Sequence, residues 1–102
     1  MILGNNACAQ ADMLSAGLLV KDLPEGALWS AGAVGNAQLK MNVMALISGG
    51  GVRIGLEDNI WYDKERTRLA TNRDLIERIT ATAKTLGCKP FSAREVRDLL
   101  KL

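Results

Sequence analysis

Three short apolar runs alternate with helical patterns along this chain of 102 residues. The runs are MIL, ALWSAGAV and VRIGLE, at residues 1–3, 27–34 and 52–57. Each run is bounded by turn residues, as strands are, and is followed by apolar residues at helical spacing. Strands that alternate with helices build parallel sheets with crossover helices. The pattern therefore predicts an α/β fold of three strand–helix units followed by one more helix.

Local signals predict where the helices begin and end. The first helix is expected over Cys8–Lys21. Asn36 is the predicted N-cap of the second helix, and Gly49 is its predicted C-terminal stop. Two patterns that resemble capping boxes, Thr71 with Asp74 and Ser92 with Glu95, predict the starts of the third and fourth helices. Gly87 is the predicted end of the third helix.

Composition narrows the class of protein. With 48% hydrophobic residues and a net charge of +2, residues 1–102 are expected to form a single soluble domain with a modest core. Charges of both signs are mixed along the chain, so no nucleic-acid partner is predicted. The apolar segments are too short for a membrane span, and a cytoplasmic location is expected. Cys8 and Cys88 lie far apart, which argues against a disulfide framework or a zinc knuckle.

The third apolar run carries the candidate functional residues. Side chains alternate along a strand, so Arg53, Gly55 and Glu57 are predicted to share the face opposite the apolar one. Ligands gather at the carboxyl ends of parallel strands, which is where Glu57 and Asp58 emerge. At roughly 3.3 Å per residue, Arg53 and Glu57 would lie about 13 Å apart and would not pair. Being adjacent, the two carboxylates would point to different sides, as a metal ligand beside a base could.

Plainer interpretations of the same residues stay open. The letters EDN at residues 57–59 are also an ordinary strand-exit turn, and an arginine in a short strand can sit at an edge and reach solvent. The basic side chains of the following loop could meet phosphates, but a solvated loop is the better interpretation; these are Lys64, Arg66 and Arg68.

Three segments of the chain resemble the C-terminal part of the beta-keto acid cleavage enzymes. They are ALWSAGAVGNAQLKMN, GGGVRIGLEDNIWY and RLATNRDLIERITATAKTLGCKPFSAREVRDLL, in this order. The resemblance implies a zinc-dependent TIM barrel that exchanges acyl fragments between a beta-keto acid and acetyl-CoA. It also implies that Glu57 is a zinc ligand, that Asp58 is a catalytic acid–base group and that Arg53 belongs to the catalytic site.

The chain departs from that family pattern in its metal ligands. Gly51 stands where the family usually has a histidine, and the family's other zinc ligands are a histidine pair, whereas this chain contains no histidine. A catalytic zinc needs three protein ligands, so no cofactor is expected to bind to the isolated chain.

The number of strand–helix units also indicates that the chain is inactive alone. A complete barrel has eight such units and typically ~250 residues. The chain is therefore interpreted as the C-terminal third of a barrel, a truncated homologue that is inactive alone. Its two open sheet edges favour a homo-oligomer. Two alternatives remain: a non-catalytic oligomeric interaction module, and a fragment that complements a separate N-terminal half-barrel.

Overall fold

The computed structural model describes all 102 residues and contains three strands and four helices. In chain order they are β1 (Ile2–Leu3), α1 (Met13–Lys21), β2 (Ser30–Ala33), α2 (Ala37–Ile47), β3 (Gly51–Val52), α3 (Asn72–Thr85) and α4 (Ala93–Leu100). None of the helices combines the length and the apolar character that crossing a bilayer requires.

The three strands form one parallel sheet in the order β1–β2–β3. Ile2 lies opposite Gly32 in the first pair, and Ser30 lies opposite Gly51 in the second. Helices α1 and α2 are the crossover connections between successive strands. The predicted α/β class, with a parallel sheet, is confirmed.

The core lies between one face of this sheet and helices α1 and α2. The small side chains of Ala31 and Ala33 on β2 and the side chain of Met41 on α2 belong to the same buried cluster. The buried cluster consists of Leu3, Ala16, Ala31, Ala33, Met41 and Ala45. Only 14 of the 102 residues are buried, so much apolar surface is left outside the core.

The strands are shorter than predicted. Of the second run only Ser30–Ala33 is strand, and the prediction of a strand over residues 52–57 is wrong because β3 ends at Val52. The amide of Arg53 still donates to the carbonyl of Ala31, at 3.1 Å, but the chain then turns at Gly55. The amides of Asp58 and Asn59 both donate to the carbonyl of Gly55, each at 3.3 Å, and this closes the turn.

The first helix is also shorter than predicted, because it begins at Met13 rather than Cys8. The side chain of Asp12 caps it by accepting from the amide of Ser15 at 2.8 Å, an interaction that lowers the pKa of Asp12. The residues before Asp12 form turns instead, with the amide of Cys8 donating to the carbonyl of Asn5.

Both predicted capping boxes are present, at Thr71 with Asp74 and at Ser92 with Glu95. The predicted C-terminal stops are confirmed too, since Gly49 and Gly87 follow α2 and α3 with φ of +78° and +76°. Asn36 occupies the N-cap position of α2 but makes no side-chain cap. Its side-chain Nδ2 donates instead to the carbonyl of Lys64, at 3.0 Å.

Candidate functional site

Arg53 lies just after β3, on the face of the sheet opposite the core. Its closest neighbour on β2 is Gly32, where a Cβ atom would lie only 2.8 Å from the carbonyl oxygen of Arg53 and 3.1 Å from its Cβ. A glycine at this position therefore permits the close approach of the two strands beside Arg53.

The guanidinium of Arg53 pairs with both carboxylates of the motif. Its Nε donates to Oδ2 of Asp58 at 2.9 Å, and its Nη2 donates to Oε2 of Glu57 at 2.6 Å and to Oδ1 of Asp58 at 3.3 Å. The prediction that Arg53 and Glu57 lie too far apart to pair is wrong. Its premise was an extended strand, whereas the turn that starts at Gly55 brings Glu57 and Asp58 back to the guanidinium.

The two carboxylates differ in their exposure to solvent. The side chain of Asp58 is 8% exposed, while that of Glu57 is 82% exposed and that of Arg53 is 41% exposed. Hydrogen bonding to Asp58, and then to Glu57, raises the pKa of Arg53 above its ordinary value. Since two carboxylates share one guanidinium, the cluster carries a net negative charge.

Two buried amides of α2 hold the backbone of this site. Nδ2 of Asn42 donates to the carbonyl of Ala31 at 3.0 Å and to that of Arg53 at 2.9 Å, and so joins β2 to β3. Nε2 of Gln38 donates to the carbonyl of Gly55 at 2.9 Å, at the start of the turn. Both residues are fully buried, and their side-chain oxygens have no hydrogen-bond partner.

Two further contacts fix the turn from other elements. Oδ1 of Asn72, at the start of α3, accepts from the amide of Leu56 at 3.0 Å. The amide of Gly35, after β2, donates to the carbonyl of Asp58 at 2.7 Å. Sequence reasoning missed Gln38, Asn42 and Asn72. For Gln38 and Asn42 the available signal was the presence of two amide side chains on a helix that is otherwise largely apolar, whereas no such signal marked Asn72.

The cluster borders a shallow groove of about 230 Å³ at the carboxyl ends of β2 and β3. Two acidic residues, one tryptophan and one arginine are among the residues that line it. Its lining residues are Val34, Gly35, Leu56, Glu57, Asp58, Asn59, Ile60, Trp61 and Arg66.

The zinc implied by the resemblance does not fit the residues of this chain. Nowhere do three or more His, Cys, Asp or Glu side chains come together in a group that could hold a metal ion. Glu57, the implied ligand, is ion-paired with Arg53. Cys8 and Cys88 are free thiols. One carboxylate is not enough for a catalytic zinc site, which uses three protein ligands.

Comparison with known proteins identifies the family. The sequence model of the beta-keto acid cleavage enzyme family matches residues 1–102. The chain is 38% identical over 82 residues to the 3-keto-5-aminohexanoate cleavage enzyme of Fusobacterium nucleatum. The matched residues are 80% of this chain and 30% of that protein. It is 36% identical over 84 residues to the 3-dehydrocarnitine:acetyl-CoA trimethylamine transferase of Rhizobium meliloti, covering 82% and 27% of the two chains.

A third relative extends the match along almost the whole chain. The 3-keto-5-aminohexanoate cleavage enzyme of Acetoanaerobium sticklandii is 30% identical over 99 residues, which are 97% of this chain and 36% of that protein. These 102 residues thus span about a third of the length of the curated relatives that they match. The chain belongs to the beta-keto acid cleavage enzyme family.

Proposed function

We propose that residues 1–102 supply the Arg53–Glu57–Asp58 part of a site that exchanges acyl fragments between a beta-keto acid and acetyl-CoA. The observation that carries the proposal is the ion-paired cluster, in which Arg53 holds a nearly buried Asp58 at 2.9 Å beside an open groove. The names of the relatives agree with this chemistry, because they include beta-keto acid cleavage and acetyl-CoA transferase activities.

The residue types suit carbon–carbon cleavage next to a ketone. Such a reaction moves protons to and from the reacting carbon atoms, and a carboxylate held in place can accept and return them. Asp58 has this role in the proposal because the guanidinium fixes both of its oxygens. Arg53 is then a positioning residue, since its Nε and Nη2 donors hold Asp58 and Glu57.

This chain differs from a complete site because its residues do not form a metal site. A zinc ion held by other residues of a complete site would supply Lewis-acid chemistry at a carbonyl oxygen. The proposed part of the site is completed by protein outside residues 1–102, and the chain corresponds to three strand–helix units of a TIM-type barrel. Alone, it does not catalyse the exchange.

A complementation assay tests the proposal. The chain would be incubated with acetyl-CoA and a panel of beta-keto acids, with and without the N-terminal two thirds of the Fusobacterium nucleatum relative, and acetoacetate would be measured. We expect turnover only in the mixture. Asp58→Asn should abolish that turnover, whereas Asp98→Asn, on the exposed face of α4, should leave it unchanged. Product from the mixture with Asp58→Asn, or no product from any mixture, would overturn the proposal.

A non-catalytic, self-associating module is the second candidate function. It is favoured by the outer edges of β1 and β3, which pair with no other strand of this chain, and by the exposed apolar side chains of α1. A strand edge and an apolar helix face are both surfaces on which protein chains associate.

A further inference from the structure

Arg66 is the one cationic side chain among the residues that line the groove beside Glu57 and Asp58. It forms no ion pair, in contrast to Arg53, Arg68 and Arg73, which are paired with carboxylates. A guanidinium without a partner, on the wall of a groove, is available for a ligand.

The loop holds Arg66 in an unusual backbone conformation. Its φ is +60°, in the left-handed region that non-glycine residues rarely adopt. Asp63 fixes the surrounding turn, because its carboxylate accepts from the amide of Thr67 at 2.9 Å and from the amide of Arg68 at 2.7 Å. The hydrogen bond from Thr67 is the main reason that the pKa of Asp63 is lowered. This carboxylate is therefore engaged with the turn itself.

The charges beside the groove make a further cation favourable for binding an anion. The Arg53–Glu57–Asp58 cluster has two negative charges and one positive charge, so it repels an anion. The single positive charge of Arg53 is already outweighed by the two carboxylates with which it pairs. Beta-keto acids and coenzyme A are both anions, and an arginine binds carboxylate and phosphate oxygens with charge-assisted hydrogen bonds.

We propose that Arg66 binds an anionic oxygen group of the substrate in the groove beside Asp58. That group is the carboxylate of the keto acid or a phosphate of coenzyme A, and the inference rests on the proposed function for the identity of these ligands. Arg66 is then a specificity-determining residue that orients the substrate toward Asp58, while Asp58 carries the proton transfer.

Titration of the full chain with two probes, followed by NMR of the backbone amides, tests this inference. The probes are acetoacetate for the carboxylate and inorganic pyrophosphate for the phosphates. Arg66→Gly is the best variant, because glycine adopts a positive φ easily and so removes the guanidinium without straining the turn. Lys64→Ala is the matched control, since it removes one positive charge from the same loop at a residue that does not line the groove.

We expect at least one probe to shift the amide signals of groove residues. Arg66→Gly should weaken that binding by about tenfold or more, the usual effect of losing a charge-assisted hydrogen bond, and Lys64→Ala should change it less than twofold. Arg66→Lys should keep part of the affinity. Dependence on Arg66 for acetoacetate alone identifies a carboxylate site, and dependence for pyrophosphate alone identifies a phosphate site.

Three results would overturn the inference: binding of neither probe, equal affinity of Arg66→Gly and the unaltered chain, or an equal loss in Lys64→Ala. The titration needs no turnover, so it separates this inference from the proposed function. Binding that depends on Arg66, together with no product in the complementation assay, would reject only the function. Turnover that does not depend on Arg66 would reject only this inference.

Discussion

Arg53 is held in position by one very small neighbour and by hydrogen bonds to three others. Gly32 leaves space for the backbone of Arg53, and the side chain of Asn42 donates a hydrogen bond to the carbonyl of Arg53. Glu57 and Asp58 then fix the guanidinium from the other end of the turn. The geometry of the site thus depends in part on Gly32 and Asn42, which take no part in the proposed chemistry.

Gly32→Ala should destabilise the chain. The new methyl group would lie 2.8 Å from the carbonyl oxygen of Arg53, so the strands must separate, and overpacking of this kind costs about 1–3 kcal/mol. Gly17→Ala is the control. Apart from the backbone of α1 itself and the two neighbouring residues, nothing lies within 4 Å of its new methyl group, and replacing a glycine inside α1 should stabilise the helix by roughly 0.5–1 kcal/mol. Urea unfolding followed by circular dichroism measures both. Equal stability of Gly32→Ala and the unaltered chain would contradict the close approach.

Asn42→Leu should lower the free energy of unfolding by about 1–3 kcal/mol, because the carbonyls of Ala31, which is buried, and of Arg53 both lose a donor. The comparison is Asn36→Ala, at an exposed residue whose side-chain amide donates only to the carbonyl of Lys64. Surface substitutions of this kind usually change the free energy of unfolding by no more than about 0.5 kcal/mol. Urea unfolding is again the measurement. Similar midpoints for the two variants would mean that Asn42 does not brace the site.

Among the secondary-structure elements, α3 and α4 have their start positions fixed by capping residues. In each, a Thr or Ser side chain accepts from the backbone while the acidic side chain three residues later accepts from the cap residue. The hydrogen bond from the Thr71 side chain lowers the pKa of Asp74, and that from the Ser92 backbone lowers the pKa of Glu95. Helix starts of this kind involve only neighbours in the sequence.

Asp74→Asn should remove a pH-dependent part of the stability. The pKa of Asp74 is lowered from 3.8 by folding, so its carboxylate contributes fully above that value and the contribution is lost as the pH falls below it. We therefore expect the melting temperature of the variant to be lower than that of the unaltered chain at pH 7, with the gap closing in acid. Glu65→Gln, at an exposed loop residue without an ion pair, is the control. A gap that stays constant down to pH 2 would contradict the assignment.

Taken as a whole, the chain buries little of its apolar surface. On α1 the side chains of Met13 and Leu14 are 72% and 74% exposed, and Leu18 continues the same helix face. The outer edges of the sheet are open as well, because β1 and β3 each pair only with β2. Surfaces of this kind are stabilised when another protein chain covers them.

The particle in solution should therefore have a larger mass than the 11.0 kDa of one chain. We expect light scattering after size exclusion to show a homo-oligomer whose proportion rises with concentration. Leu14→Lys combined with Leu18→Lys should shift the equilibrium toward the monomer if the α1 face is the contact, whereas Ala81→Lys on α3 should not. A monomer at every concentration tested, with a cooperative melting transition, would reject self-association.

Features that depend on residues close together in the chain could be read from the sequence. They include the order of strands and helices, both capping boxes, the glycine stops after α2 and α3, and the motif that places the chain in its family. Homo-oligomerisation, the half-barrel partner, the absence of a nucleic-acid partner and the cytoplasmic location stay predictions.

The closure of the site depends on long-range contacts instead. Spacing along an extended strand separates Arg53 from Glu57, but the chain turns at Gly55 and brings them to 2.6 Å. Gln38, Gly35 and Asn72 hold that turn from three other parts of the chain. Local periodicity carries no information about these partners, because each hydrogen bond forms only once the sheet and its helices have packed together.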